Sequence, residues 1–183
     1  MTTDTVPAAG FAQALRRLYF VRFAFALVWA GLLFTTASQL GPLGIALLVL
    51  YPLFDVVAAV LDARSAKAGK PIAALYVNVA VSLLAAGGLA VAAASGIPGV
   101  LRVWGTWAIV AGVVQLVVGA ARRGLGGQWP MILSGAISVV AGSSFILQAT
   151  KDGASLSALA GYATLGGIFF LVSALRLRST TPR

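Results

Sequence analysis

The chain contains no cysteine, no histidine and no glutamate. Without cysteine there are no disulfides and no thiolate chemistry, and without histidine there is no imidazole acid–base work and little scope for a zinc site. The only acids are Asp4, Asp55, Asp62 and Asp152. No nucleophile–base constellation and no cluster of metal ligands can be assembled from that inventory. The sequence therefore gives no catalytic, cofactor-binding or metal-binding residue.

Charge is also scarce. Charged residues make up 9% of the 183 positions and apolar residues 60%, with a mean hydropathy of +1.00. Soluble domains carry about 25% charged residues. There is too little polar surface here to cover a water-soluble globule, so lipid is the main solvent. The net charge of +9, from 13 basic against 4 acidic residues, would suggest nucleic acid in a soluble domain. The basic residues cluster at the ends of apolar runs instead, so membrane topology accounts for them and no nucleic-acid partner is expected.

What is present is a set of six apolar runs of spanning length, about Leu18–Ala37, Pro42–Leu61, Ile72–Ala94, Leu101–Ala121, Trp129–Gln148 and Leu156–Leu175. A span needs about 20 helical residues at about 1.5 Å each. The runs lack the alternation of a barrel strand. The expectation is an all-α polytopic membrane domain over residues 16–178. It is preceded by a mobile cytoplasmic segment 1–15, with a short interfacial helix from Phe11, and followed by a tail 179–183. The first run has a basic flank and ends near "TTAS", like a signal peptide. Its length and Arg22 favour an uncleaved helix.

Eleven basic residues fall on one side: Arg16, Arg17, Arg22, Arg64, Lys67, Lys70, Arg122, Arg123, Arg176, Arg178 and Arg183. Only Arg102 and Lys151 fall on the other. The positive-inside rule then places both termini in the cytoplasm of a bacterial inner membrane.

The runs also repeat. At a spacing of 56, Arg22, Asn78 and Ser134 correspond, as do Ala26, Ser82 and Ser138, then Ala30, Ala86 and Gly142. "GVVQLVVGAARR" (112–123) resembles "GIFFLVSALRLR" (167–178), while the second helix fits less well. Three helical hairpins of one kind are implied. Small residues line helix faces at Gly105, Gly112 and Gly119, at Ala160, Gly167 and Ala174, and at Ser134, Ser138 and Gly142. Such faces suit packing within the bundle or a homo-oligomer through Gly105, Gly112 and Gly119. Trp29, Trp104, Trp107 and Trp129 lie toward span ends, which predicts interfacial rings.

Depth arithmetic singles out Asp55. It lies about 9 Å inside the boundary near Leu61, with Arg22 about 6 Å, Asn78 and Gln115 about 9 Å, and Ser134 about 7 Å inside their own helices. Five helices thus place a polar group at one level. The tight α-hairpin through "SQLGP" predicts an Arg22–Asp55 pair. Tyr51, one turn away, is a candidate donor to Asp55. Pro52 predicts a bend and leaves the Leu48 carbonyl without its usual donor. Asp62 is expected to pair with Arg64 or Lys67. Three readings of the layer stand open: structural glue, a proton- or solute-handling site built on Asp55 in a transporter or channel, and a site for a lipid headgroup or partner protein.

From "GQWPMILSGAISVVAGSSFILQ", with "WGTWAIVAGVVQLVVGAARR" upstream and "GYATLGGIFFLVSALRLR" downstream, the chain resembles the HdeD-type acid-resistance membrane proteins. The aromatic residue at the helix mouth, the "SG" and the later small residue carry the resemblance, over about Arg102 to Arg178. The first half, with "YPLFD", matches in layout. The resemblance implies a small six-helix protein of repeated hairpins, associated with acid stress in bacteria; the lack of a nucleophile–base pair or metal cluster is what points to a non-enzymatic role. It carries over no functional residue.

Overall fold

The computed structural model describes residues 5–65, 72–121 and 129–176. They form six α-helices: α1 (Thr5–Thr35), α2 (Pro42–Ser65), α3 (Ile72–Ala92), α4 (Gly96–Ala121), α5 (Trp129–Gln148) and α6 (Ser157–Arg176). A short 3-10 turn, Ala93–Ser95, joins α3 to α4. Four stretches are long and apolar enough to cross a membrane: Arg16–Thr35, Pro42–Leu61, Tyr76–Val117 and Ser157–Arg176; Ile132–Gln148 is apolar but shorter. The chain is a multi-pass helical membrane protein.

The 42-residue stretch Tyr76–Val117 takes in most of α3 and α4. It is folded back on itself, because a Cβ on Gly88 would lie 3.2 Å from Val103. Fifteen residues of straight helix would hold those positions about 22 Å apart. The reversal occurs at Gly96, whose φ of +71° lies in the left-handed region. The helix therefore restarts at Gly96, five residues before the expected Leu101. Pro98 falls in its first turn, where a missing N–H breaks no intrahelical bond. α1 also starts early, at Thr5, and runs unbroken into the apolar stretch, so the helix expected from Phe11 is continuous with it. The Asp62 pairing with Arg64 or Lys67 and the tail 179–183 lie outside the described residues.

Each helix neighbours the next in the chain, and α6 returns to α1, which closes a ring. The closest pairs are α4/α5, α6/α1 and α2/α3. Small residues explain the first. A Cβ on Gly105 would sit 2.6 Å from the Gly142 carbonyl oxygen, and one on Gly142 would sit 2.5 Å from that of Gly105. Gly112 and Gly135 repeat the arrangement at 2.7 Å one level away. The backbones touch, so dispersion and weak C–H···O contacts act along the whole interface. Gly105 and Gly112 are thus buried inside the chain and do not form an outer dimer face; the side of Gly119 lies outside the described residues.

The end of the ring away from the basic residues is filled by a core of Trp29, Leu33, Leu48, Leu89, Leu101, Trp104, Phe145, Leu156 and Leu159. Here the structure corrects the expectation of interfacial tryptophans. Trp29 and Trp104 are fully buried and stacked with centroids 5.3 Å apart, and Trp107 meets Trp104 edge-on at 5.2 Å. Only Trp129, 78% exposed at the start of α5, has the predicted setting. A ring of six helices leaves a wide axis, and only large side chains fill it to native density.

Gly142→Ala is expected to lower the thermal midpoint in detergent clearly, because the new methyl meets backbone that cannot yield; overpacking of this kind costs about 1–3 kcal/mol. Gly87→Ala, with nothing within 4 Å of its Cβ position, should leave the midpoint unchanged or raise it. Equal effects of the two would refute the backbone contact.

Candidate functional site

The predicted pair forms. Arg22 Nη2 on α1 donates to Asp55 Oδ1 on α2 at 2.6 Å. The second carboxylate oxygen is held by α3, where Asn78 Nδ2 donates at 3.0 Å and Ser82 Oγ at 3.1 Å. Asn78 and Ser82 are one turn apart, so both face the same acceptor. A carboxylate with three donors and a cation beside it is a tolerable charge at this depth. The guanidinium also lies over the Phe170 ring of α6, 4.8 Å from its centroid. Four helices meet at one ion pair.

Two expectations about its surroundings change. Among the described residues Tyr51 donates nothing to Asp55. Its ring packs instead among aromatics, 4.6 Å from Trp29, 5.5 Å from Trp104 and 6.3 Å from Trp107. Aromatic neighbours on α1 and α4 outcompete a carboxylate whose oxygens are already occupied. α2 continues through Pro52, which is itself buried. The donor from a neighbouring helix arrives one residue earlier than expected: Trp29 Nε1 donates to the Leu47 carbonyl at 2.6 Å.

The ion pair forms one wall of a cavity of about 550 Å³ to which all six helices contribute. Arg22, Asp55, Asn78, Gln115 and Ser134, the whole predicted layer, line it. Gln115 and Ser134 do not join the Asp55 network; they lie on α4 and α5. Ser138 and Tyr162 were not singled out as site residues by sequence, yet they line the cavity and share a hydrogen bond of 2.7 Å. In the sequence Ser138 stands as a repeat equivalent of Ala26 and Ser82 and as a small residue on a packing face. Gln115 Oε1 is buried and has no partner among the described residues.

The position of the cavity follows from helix register. Tyr51, Trp107 and Tyr162 each stand fourteen residues before the end of their helix, at Ser65, Ala121 and Arg176. That is about 21 Å from the basic end. All three line the cavity and form its floor, with the Trp29–Trp104 stack on the far side of it. Ser173, three residues from the end of α6, is the lining residue of that helix nearest the basic end. The lining residues lie between that floor and the basic end, and the side chains of Arg22 and Asp55 keep 16% and 26% of their surface accessible.

The floor residues are repeat equivalents, at 51, 107 and 162, and four positions later stand Asp55, Ala111 and Gly166, which all line the cavity. The second helix, the poorest match by sequence, therefore falls into the repeat here. The cavity exists because two of the three equivalents of Asp55 are an alanine and a glycine.

No protein-family model, no curated protein and no solved structure matches this chain. The geometry of the cavity is therefore the main guide to function.

Replacing Arg22 by Gln, or Asp55 by Asn, should destabilise the protein in detergent, since each leaves a partly buried charge with its main partner removed; about 2–4 kcal/mol is expected from one-sided loss. The double variant should recover part of that loss. Additive effects of the two substitutions on the melting midpoint would mean the pair is not coupled.

Proposed function

We propose that the chain is a non-enzymatic, six-span protein of the bacterial inner membrane, with both termini cytoplasmic, whose central cavity takes up a small polar solute from the cytoplasmic side. The cavity carries this reading: it places a charge pair, an amide side chain and several hydroxyl groups at the centre of an otherwise apolar ring. A bundle that needed only internal cohesion would fill such a volume, because empty space forfeits dispersion contacts. The fold-back at Gly96 and the alternation of basic and neutral connections support six crossings, and the basic ends support the orientation. The three-hairpin layout is the one implied by the resemblance to HdeD-type proteins, and the stress association of that group belongs to the proposal on the same footing. Self-association through Gly105 and Gly112 would compete with the contact to α5 and is not part of it.

In this conformation the aromatic floor separates the cavity from the opposite side of the membrane. A transporter built on Asp55 would have to part Tyr51, Trp107 and Tyr162 during its cycle, and the three are tied to three different helices. The arrangement supports a vestibule with one door, and a carrier only if that floor moves.

The absence of cysteine makes the proposal directly testable. Position 166 lines the cavity, and nothing stands within 4 Å of a Cβ built there. A Gly166→Cys variant should be modified by a membrane-impermeant thiol reagent in inside-out vesicles and remain unmodified in right-side-out ones. Reaction from the opposite side only, or from neither, would overturn the vestibule. A reporter that is active only in the periplasm, fused after Arg183, should stay silent.

A further inference from the structure

Resting on the vestibule reading, we propose that the solute is a small zwitterion of the amino-acid kind. Its carboxylate would sit on the remaining N–H donors of Arg22, and its ammonium group would lie toward the aromatic floor. The charge inventory comes first. Among the described residues, Arg22 and Asp55 are the only charged ones lining the cavity. They pair at 2.6 Å, so this described lining has no net charge. A monovalent ion entering it would lose hydration worth several kcal/mol with no uncompensated opposite charge to meet it. A zwitterion brings no net charge, and its two ends can align against the dipole of the ion pair.

The hydrogen-bond inventory narrows the choice further. A guanidinium has five N–H donors. Among the described residues, the Asp55 contact is the only hydrogen bond Arg22 makes. Its fork can therefore take a second carboxylate without releasing the first, which is the geometry in which arginine binds best. Asp55 does not need to move either, because Asn78 and Ser82 hold its other oxygen. Tyr51, Trp107 and Tyr162 line the floor, and an aromatic ring attracts an ammonium group better than an anion. The volume of about 550 Å³ lies within the range of small-molecule sites and leaves room for an apolar side chain. An uncharged polyol would leave the remaining arginine donors and the aromatic floor without their preferred partners.

The experiment measures protection of Gly166→Cys from the impermeant thiol reagent in proteoliposomes containing the full chain. Glycine, leucine and phenylalanine are the zwitterionic probes. Each is compared with its amide, which is a cation, and with its deaminated acid, which is an anion; erythritol is the polyol control. At ten times its dissociation constant a ligand blocking the site slows labelling about tenfold. At least one zwitterion should do so at a concentration where its amide, its deaminated acid and erythritol change the rate less than about twofold. In the Arg22→Gln background protection should pass to the amide, because Asp55 then has no cation beside it. Labelling that proceeds unslowed by every zwitterion overturns the inference and leaves the vestibule standing. Equal protection by zwitterion and amide, or by erythritol, also overturns it. A cysteine that never reacts from the cytoplasmic side removes the vestibule and the inference together.

Discussion

The carboxylate of Asp55 sets the conditions for the whole basic half of the bundle. A charge at this depth in an apolar ring is unstable unless it is paired and its oxygens are occupied. Satisfying it draws Arg22 from α1 and Asn78 and Ser82 from α3 toward α2, at 2.6, 3.0 and 3.1 Å. Those contacts fix the rotation of three helices about their axes, which hydrophobicity cannot do in lipid, because lipid tails and neighbouring helices are equally apolar. Arg22 in turn lies over Phe170, so α6 is oriented by the same group. Away from this network, α4 and α5 are positioned by a different constraint, the direct backbone contact between Gly105 and Gly142. One wall of the cavity is held by charge and the other by the absence of side chains.

Much of the crossing pattern was legible because it depends on length and composition alone. The Arg22–Asp55 pair was legible for the same reason: a rise of about 1.5 Å per residue places two charges at one level, and low dielectric forces them together. The rotational setting of the helices was not legible. Trp29 and Trp104 looked interfacial because their distance from a span end is visible in sequence while the direction they face is not. Its spacing of one turn offers Tyr51 to Asp55, but it turns toward aromatic rings whose positions depend on two other helices. The cavity was hidden for a simpler reason. It arises from what Ala111 and Gly166 lack, and small residues are so common in membrane helices that two more of them carry no signal.

The fold also shows how a bundle can be rigid and hollow at once. The half near the neutral connections is dense, with Trp29, Leu33, Leu89, Trp104 and Leu159 almost wholly buried. The loop ahead of α6 is anchored to it, since Leu156 N–H donates to the Ala37 carbonyl at 3.0 Å and Ser155 Oγ reaches the same oxygen at 3.3 Å. That anchor ties the last hairpin to the first and completes the ring at its dense end. The open volume lies at the other end, where the walls carry hydrogen bonds and ring contacts in place of a filled core.

The repeat has a further consequence. Three identical hairpins assembled round an axis as separate chains would have to carry the same residue at every equivalent position. An aspartate at one would mean three aspartates converging on the centre, and an arginine three arginines, with like charges crowding a space that could not then stay open. Joined in one chain, the copies are free to diverge. Position 55 keeps a carboxylate, 111 a methyl group and 166 a hydrogen, while among the odd helices 22 is an arginine, 78 an asparagine and 134 a serine. Covalent linkage has broken the symmetry of the ring. The centre thereby gains a sideways electrical direction, which no symmetric trimer of one hairpin could possess.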